Sequence, residues 1–202
     1  MNIEQIRDAL PDYARDLKLN LGTVLTTTGA PGLSDQQIWS IALACAIAAR
    51  NTSFARSIEA LSRAHLAEAG VEGAKAAAAI MGMNNIYYRF LHLVQDGEYQ
   101  SMPARLRMNV IANHGIDKLD FELISLAVSA VNGCGLCVTS HEKKLRAHEV
   151  SREAIQSAVR IAATIHAVAG VLEFEQSASV RFAACRTRRL THQSARLLPV
   201  GR

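Results

Sequence analysis

Apolar residues recur along the chain at three- and four-residue intervals, and no run keeps the two-residue alternation of a strand. The pattern predicts helices. Residues 2–19 read as a short helix interrupted near Pro11, and residues 21–33 (LGTVLTTTGAPGL) as a loop rich in Gly, Thr and Pro. Ser34 is placed to cap a helix, with Gln37 completing a capping box and Ile38, Ile41, Ala42, Cys45 and Ala49 forming its apolar stripe. A second helix is expected over residues 54–69, stopped by Gly70, and a long one over residues 72–95. Pro103 is expected to open a short helix that ends near Asn113–Gly115. Asp120 is the expected cap of a helix with Phe121, Ile124, Val128 and Val131 on one face, broken by Asn132–Gly133. A helix from Cys134 to Ala147 follows, and Ser151 caps the last one, which reads to about residue 175. The fold class expected is all-α, a helical bundle.

Laying Ile38–Ala60 on Phe121–Lys143 matches Ile41, Leu43, Ala44 and Glu59 to Ile124, Leu126, Ala127 and Glu142. A two-residue shift continues it, with Glu72, Ala77 and Ile80 on Glu153, Ala158 and Ile161. Residues 1–180 thus read as one domain with an internal repeat over about 34–95 and 117–175. In the first copy Asn51, Phe54 and Ile58 stand in the places of Cys134, Cys137 and His141. Chance likeness between alanine-rich helices would produce a weak repeat of this kind as well.

Composition agrees with close helix packing: half of the 202 residues are hydrophobic, many of them alanine, and only 5% are aromatic. The net charge of +4 is uneven: residues 181–202 hold six arginines and no acid, leaving 16 bases against 18 acids elsewhere. This basic tail is expected to be disordered and solvated rather than a nucleic-acid module, since it lacks an aromatic platform beyond Phe182. No run of about 18 uncharged apolar residues predicts a membrane span, and the N-terminus lacks the pattern of a secretory signal. The expected location is cytoplasmic, where a disulfide is more often catalytic than structural.

The chemistry concentrates in NGCGLCVTSHEKK, residues 132–144. Val138 directly after the second cysteine excludes c-type haem attachment, and Cys134, Cys137 and His141 fall one ligand short of structural zinc. A helix, not a strand, precedes the pair, which excludes a thioredoxin arrangement. Gly133 puts Cys134 near a helix N-terminus, where free N–H groups and the helix dipole favour a thiolate. His141 lies one turn after Cys137 and could take its proton. The dipole thus favours Cys134 as the thiolate and the histidine favours Cys137. Glu122 makes a polar line with Ser125 and Ser129, although an acid in the first turn of a helix is favourable on its own account. His92 and His166 read as packing or hydrogen-bonded histidines, Met81 and Met83 as core, and Asn84 and Asn85 as a buried polar contact in mid-helix. Cys45 and Cys185 have no visible partner.

The segment FELISLAVSAVNGCGLCVTSHE, with its Glu-x11-Cys-x2-Cys-x3-His spacing, resembles the active-site stretch of the AhpD-like alkyl hydroperoxidases, within the carboxymuconolactone decarboxylase-like family. AAIMGMNNIYYR, LRMNVIANHGI and IEQIRDALPDYARDLKLNL resemble other stretches of that family, and the likeness covers about residues 2–175. It implies an all-helical bundle of two related halves, a homotrimer and an antioxidant peroxidase. It also implies that the dithiol reduces hydroperoxides and passes electrons to the peroxiredoxin AhpC, and that dihydrolipoamide on a lipoylated acyltransferase reduces it again. No bound cofactor, metal, nucleic acid or membrane is implied. Carried over, Cys137 is the nucleophile that becomes a sulfenic acid, Cys134 the proton donor and resolving thiol that closes a Cys134–Cys137 disulfide, and Glu122 and His141 the proton relay. The resemblance departs at Leu136, where some members carry a histidine, and in the Arg-rich tail. Two other readings remain open at this stage: a lactone decarboxylase on the same fold, and a redox-sensing or metal-binding module.

Overall fold

The computed structural model describes residues 2–194, with side chains described as far as Glu175. Its helices are α1 (Ile3–Asp8), α2 (Arg15–Val24), α3 (Asp35–Ala48), α4 (Thr52–Ser62), α5 (Glu68–Val94), α6 (Gly97–Ser101), α7 (Lys118–Val131), α8 (Gly135–Ala147) and α9 (Arg152–Ser194). Among the described residues there is no strand. Short 3₁₀ turns lie at Asp12–Ala14 and Asn109–Ile111.

The centre is built from α3 and α7, which pack on each other and on α5 and α9. Every residue from Ile38 to Ala46 and from Phe121 to Ser129 is buried. This accounts for helices that are apolar nearly all round rather than striped. Alanines on α3, α5, α7 and α9 let these axes approach closely, and one continuous core results. The stretch Arg152–Glu175 of α9 is long and apolar enough to cross a membrane, but 56% of its most apolar window is buried within the bundle, as expected of a core helix.

The two halves share one local device. In each, a residue at positive φ (Arg50 at 66°, Gly133 at 68°) ends the first helix and the next residue caps the second. Asn51 Oδ1 accepts from Phe54 N at 2.9 Å, and Cys134 Sγ accepts from Cys137 N at 3.3 Å. These are the positions that the sequence overlay pairs. Glycine is suited to the second turn because a side chain at that φ is strained.

Several boundaries differ from expectation. Ser34 and Gln37 form the predicted reciprocal capping box. Gly70 does not stop a helix: it lies in the first turn of α5, and the chain turns earlier, at residues 63–67. Glycine weakens a helix without ending it where burial on the other residues compensates. Pro103 lies in an irregular segment after α6, so the helix expected from it is absent. Asp117, not Asp120, caps α7, its Oδ1 accepting from Leu119 N at 2.7 Å, and Asp120 instead accepts from Gln37 Nε2. His92 and His166 are exposed rather than packed. The backbone of α9 continues past the expected end near residue 175 to Ser194. The expectation of disorder for 181–202 falls on side chains, and from residue 195 on backbone, that lie outside the described residues, as does the side chain of Cys185.

Asn51 also donates from Nδ2 to the Ala169 carbonyl of α9 at 3.2 Å, so it both caps α4 and ties it to the core. Asn51→Ala should therefore lower stability by about 1–3 kcal/mol, read as a lower urea midpoint with an unchanged m value. A midpoint equal to that of the parent protein would contradict this role.

Candidate active site

The site forms where α8 turns back along α7. Asn132 and Gly133 end α7, and the backbone N–H of Cys134 donates to the Ser129 carbonyl at 3.1 Å. Helix α5 fixes this turn from the side: Asn85 Nδ2 donates to Ser129 Oγ at 2.8 Å, Asn132 Nδ2 to Asn85 Oδ1 at 2.9 Å, and Arg89 Nη1 to the Asn132 carbonyl at 2.7 Å. The buried polar contact expected at Asn84–Asn85 is thus a clamp at Asn85. Asn84, also buried, leaves its Oδ1 without a hydrogen-bond partner among the described residues.

Cys134 and Cys137 are joined in a disulfide, with Cα atoms 5.3 Å apart. Their surroundings differ. Cys134 is wholly buried, and its sulfur is occupied as the cap of α8. Cys137 lines a cavity of about 410 Å³, together with His141, Glu122, Ser140, Leu136, Phe121, Met81, Asn84, Tyr88, Met108 and Ile111. A volume of this order is typical of small-molecule sites.

Glu122 is buried on α7 and meets two side chains from α8. Its Oε2 lies 2.7 Å from His141 Nδ1, and its Oε1 accepts from Lys144 Nζ. Burial pushes the carboxyl pKa up, but hydrogen bonds from His141 and Lys144 outweigh that effect and hold it below the usual glutamate value. An ionised Glu122 is an acceptor only, so His141 carries a proton on Nδ1 and Nε2 is the nitrogen left for proton transfer. His114 stacks on Phe121 with centroids 4.1 Å apart. Desolvation pushes its pKa down, partly opposed by the charges of Glu122 and Asp117.

The structure therefore brings Glu122, Cys134, Cys137 and His141 into one place. Leu136, half-exposed beside the pair, forms part of the cavity wall. Sequence reasoning missed Lys144, although it stands on the same face as His141, one turn further on. It also missed Tyr88, Met108 and Ile111, whose approach depends on tertiary packing. Among the described residues no group of three or more His, Cys, Asp or Glu is placed to hold a metal ion. A second cavity, of about 460 Å³, lies beside the start of α4 and is lined by Asn51, Glu59 and Lys75 among others, with no cysteine or histidine. Its Glu59 is held by Lys75 at 2.7 Å and Arg56 at 2.8 Å. In the places of Cys137 and His141 stand Phe54 and Ile58, both buried in the core.

A profile of the carboxymuconolactone decarboxylase family matches residues 97–177, the portion that holds the cysteine pair. Over 179 residues the chain is 55% identical to the alkyl hydroperoxide reductase AhpD of Rhodospirillum centenum, covering 89% of this chain and 95% of that one. The chain belongs to the AhpD family. It is also 55% identical over 175 residues to the AhpD of Solibacter usitatus, covering 87% of this chain and 97% of that one. The AhpD of Gluconacetobacter diazotrophicus is 56% identical over 173 residues, covering 86% and 93%. The all-helical bundle is thus both the observed fold and the one that the AhpD resemblance implied.

The depressed pKa of Glu122 has a signed consequence. A carboxyl held below its unfolded value stabilises the fold above the unfolded pKa, and that contribution is lost as pH falls through the folded value. In a carboxyl NMR titration Glu122 should titrate below about 4.3, the ordinary glutamate value. Lys144→Met should move the midpoint up. A midpoint unmoved by this substitution would show that the ammonium group does not hold the carboxylate.

Proposed function

We propose that this protein is an antioxidant alkyl hydroperoxide reductase that works through the Cys134–Cys137 dithiol. The observation that supports it most is the asymmetry of the pair: Cys137 opens on the cavity shared with His141, while Cys134 is closed off beneath it. His141, held by Glu122, takes the proton of Cys137. The thiolate attacks the terminal oxygen of the hydroperoxide, the O–O bond breaks, and the alkoxide leaves and takes a proton from His141. Cys137 is then a sulfenic acid. The Cys134 thiol attacks its sulfur, water leaves with the Cys134 proton, and the disulfide closes. This conflicts with the simple helix-dipole preference for Cys134 as nucleophile. Burial and the capping role of Cys134 favour Cys137.

In this reading dihydrolipoamide, carried on a lipoylated acyltransferase, reopens the disulfide by exchange. The dithiol also regenerates the peroxiredoxin AhpC, the protein works in the cytoplasm, and it assembles as a homotrimer. These parts are supported by the resemblance to AhpD proteins over most of the chain. A lactone decarboxylase would need no thiol, and the cysteine variants separate the two.

Steady-state peroxide turnover with a dithiol donor should vanish in Cys137→Ser. Cys134→Ser should oxidise once to a sulfenic acid that dimedone traps, then stop. His141→Gln should lose about 10²-fold in kcat/KM. Parental turnover in either cysteine variant would contradict the dithiol mechanism.

A further inference from the structure

Asn84 stands in the wall of the cavity beside Cys137, and neither the fold nor the relay uses its side-chain oxygen. Asn84 lies in mid-α5, is 5% exposed, and lines the cavity. Its Oδ1 has no hydrogen-bond partner among the described residues. Its neighbour Asn85, by contrast, is fully engaged with Ser129 and Asn132. A buried carbonyl oxygen left unsatisfied costs about 1–3 kcal/mol, and asparagine is also a poor residue for the interior of a helix. That cost is removed when a ligand donates to the atom.

The remainder of the wall says what such a ligand looks like. Met81, Met108, Ile111, Phe121 and Leu136 are apolar. Tyr88, also in the wall, directs its hydroxyl to Met108 Sδ at 3.9 Å, a weak partner. The space of about 410 Å³ far exceeds one hydrogen peroxide molecule, whose size is comparable to the roughly 30 Å³ share of a water. Hydrogen peroxide would leave most of this apolar surface uncovered.

We propose that Asn84 is a substrate-positioning residue: its Oδ1 accepts a hydrogen bond from the O–H of an organic hydroperoxide, whose apolar group fills the cavity against Leu136, Met108 and Ile111. This rests on the peroxidase reading above and assigns it a residue. In a hydroperoxide ROOH the O–H is on the terminal oxygen, the atom that Cys137 attacks. A hydrogen bond from it to Asn84 holds that oxygen toward Sγ. As the S–O bond forms, the O–O bond breaks with both electrons on the departing alkoxide, which takes its proton from His141. The sulfur is oxidised by two electrons and the peroxide reduced by two. The proton held by Asn84 stays on the oxygen transferred to sulfur. Asn84 itself gains and loses nothing, so its effect is on orientation and not on the thiol. Leu136 takes on a role in the same picture: it adds wall for the organic group.

The test uses fully reduced protein in single-turnover oxidation by cumene hydroperoxide and by hydrogen peroxide. Iodoacetamide alkylation of Cys137 against pH and reduction of the disulfide by dithiothreitol serve as the readouts of the thiol itself. Wild-type protein should prefer cumene hydroperoxide. Asn84→Leu, close in volume but without the acceptor, should slow oxidation by both peroxides about three- to tenfold. Its alkylation profile and dithiothreitol reduction should stay at wild-type values. Leu136→Ser, a half-exposed change that leaves the core intact, should cost about threefold or more with cumene hydroperoxide and little with hydrogen peroxide. Unchanged oxidation rates in Asn84→Leu would overturn the assignment, as would an equal change in alkylation, which would mean that Asn84 acts on the thiol or the fold. If Asn84→Leu does not fold, an unchanged peroxide preference in Leu136→Ser overturns the proposal. Wild-type protein that neither peroxide oxidises would overturn the peroxidase reading beneath it, an outcome distinct from the others.

Discussion

A carboxylate cannot remain charged when buried beside an alanine-rich helical core without partners that replace water. Glu122 is that carboxylate. It lies on α7, a helix enclosed by α3, α5, α8 and α9, and its two oxygens are taken by His141 and Lys144 from the facing side of α8. The two α8 residues stand one turn apart, so a single face of α8 satisfies the whole carboxylate. Once that pairing is made, the register of α8 against α7 is fixed. Cys137, one turn before His141, is then directed to the same cavity.

The backbone supplies the second constraint. A left-handed residue at Gly133 lets the chain reverse sharply, and Cys134 becomes the cap of the new helix. Asn85 and Arg89 on α5 hold the end of α7 in place. The first half repeats this turn with Arg50 and Asn51 but fills the equivalent positions with Phe54 and Ile58. The same turn thus occurs twice, followed by the cysteine pair in one place and by core residues in the other.

Most of the long helices and the cysteine–histidine face were legible because they depend on local spacing: 3.6-residue periodicity, a capping box at Ser34–Gln37, a glycine before Cys134; the helix expected from Pro103 is absent, and α2 runs on to Val24, into the segment read as a loop. Glu122 was ambiguous from local residues, since an acid in a first turn is favourable anyway, and only the family resemblance singled it out. Lys144 went unnoticed because a surface lysine on a charged helix carries no signal until its partner is known to be a buried acid. Gly70 and Asp120 were misread for a related reason. Burial along α5 overrides the cost of one glycine, and Asp117 reaches the free N–H groups of α7 first. The cavity walls at Met108 and Ile111 come from a segment whose path no periodicity encodes, and Tyr88 of α5 joins them only through tertiary packing.

In the proposed mechanism Glu122, through His141, sets the reactivity of Cys137. The most direct test is the pH dependence of iodoacetamide alkylation of Cys137 in reduced Cys134→Ser protein, with and without Glu122→Gln. In the proposed relay, a carboxylate behind the histidine favours transfer of the Cys137 proton to it. The alkylation profile should therefore move to higher pH when the charge is removed. Superimposable profiles with and without the Glu122 carboxylate would contradict the account.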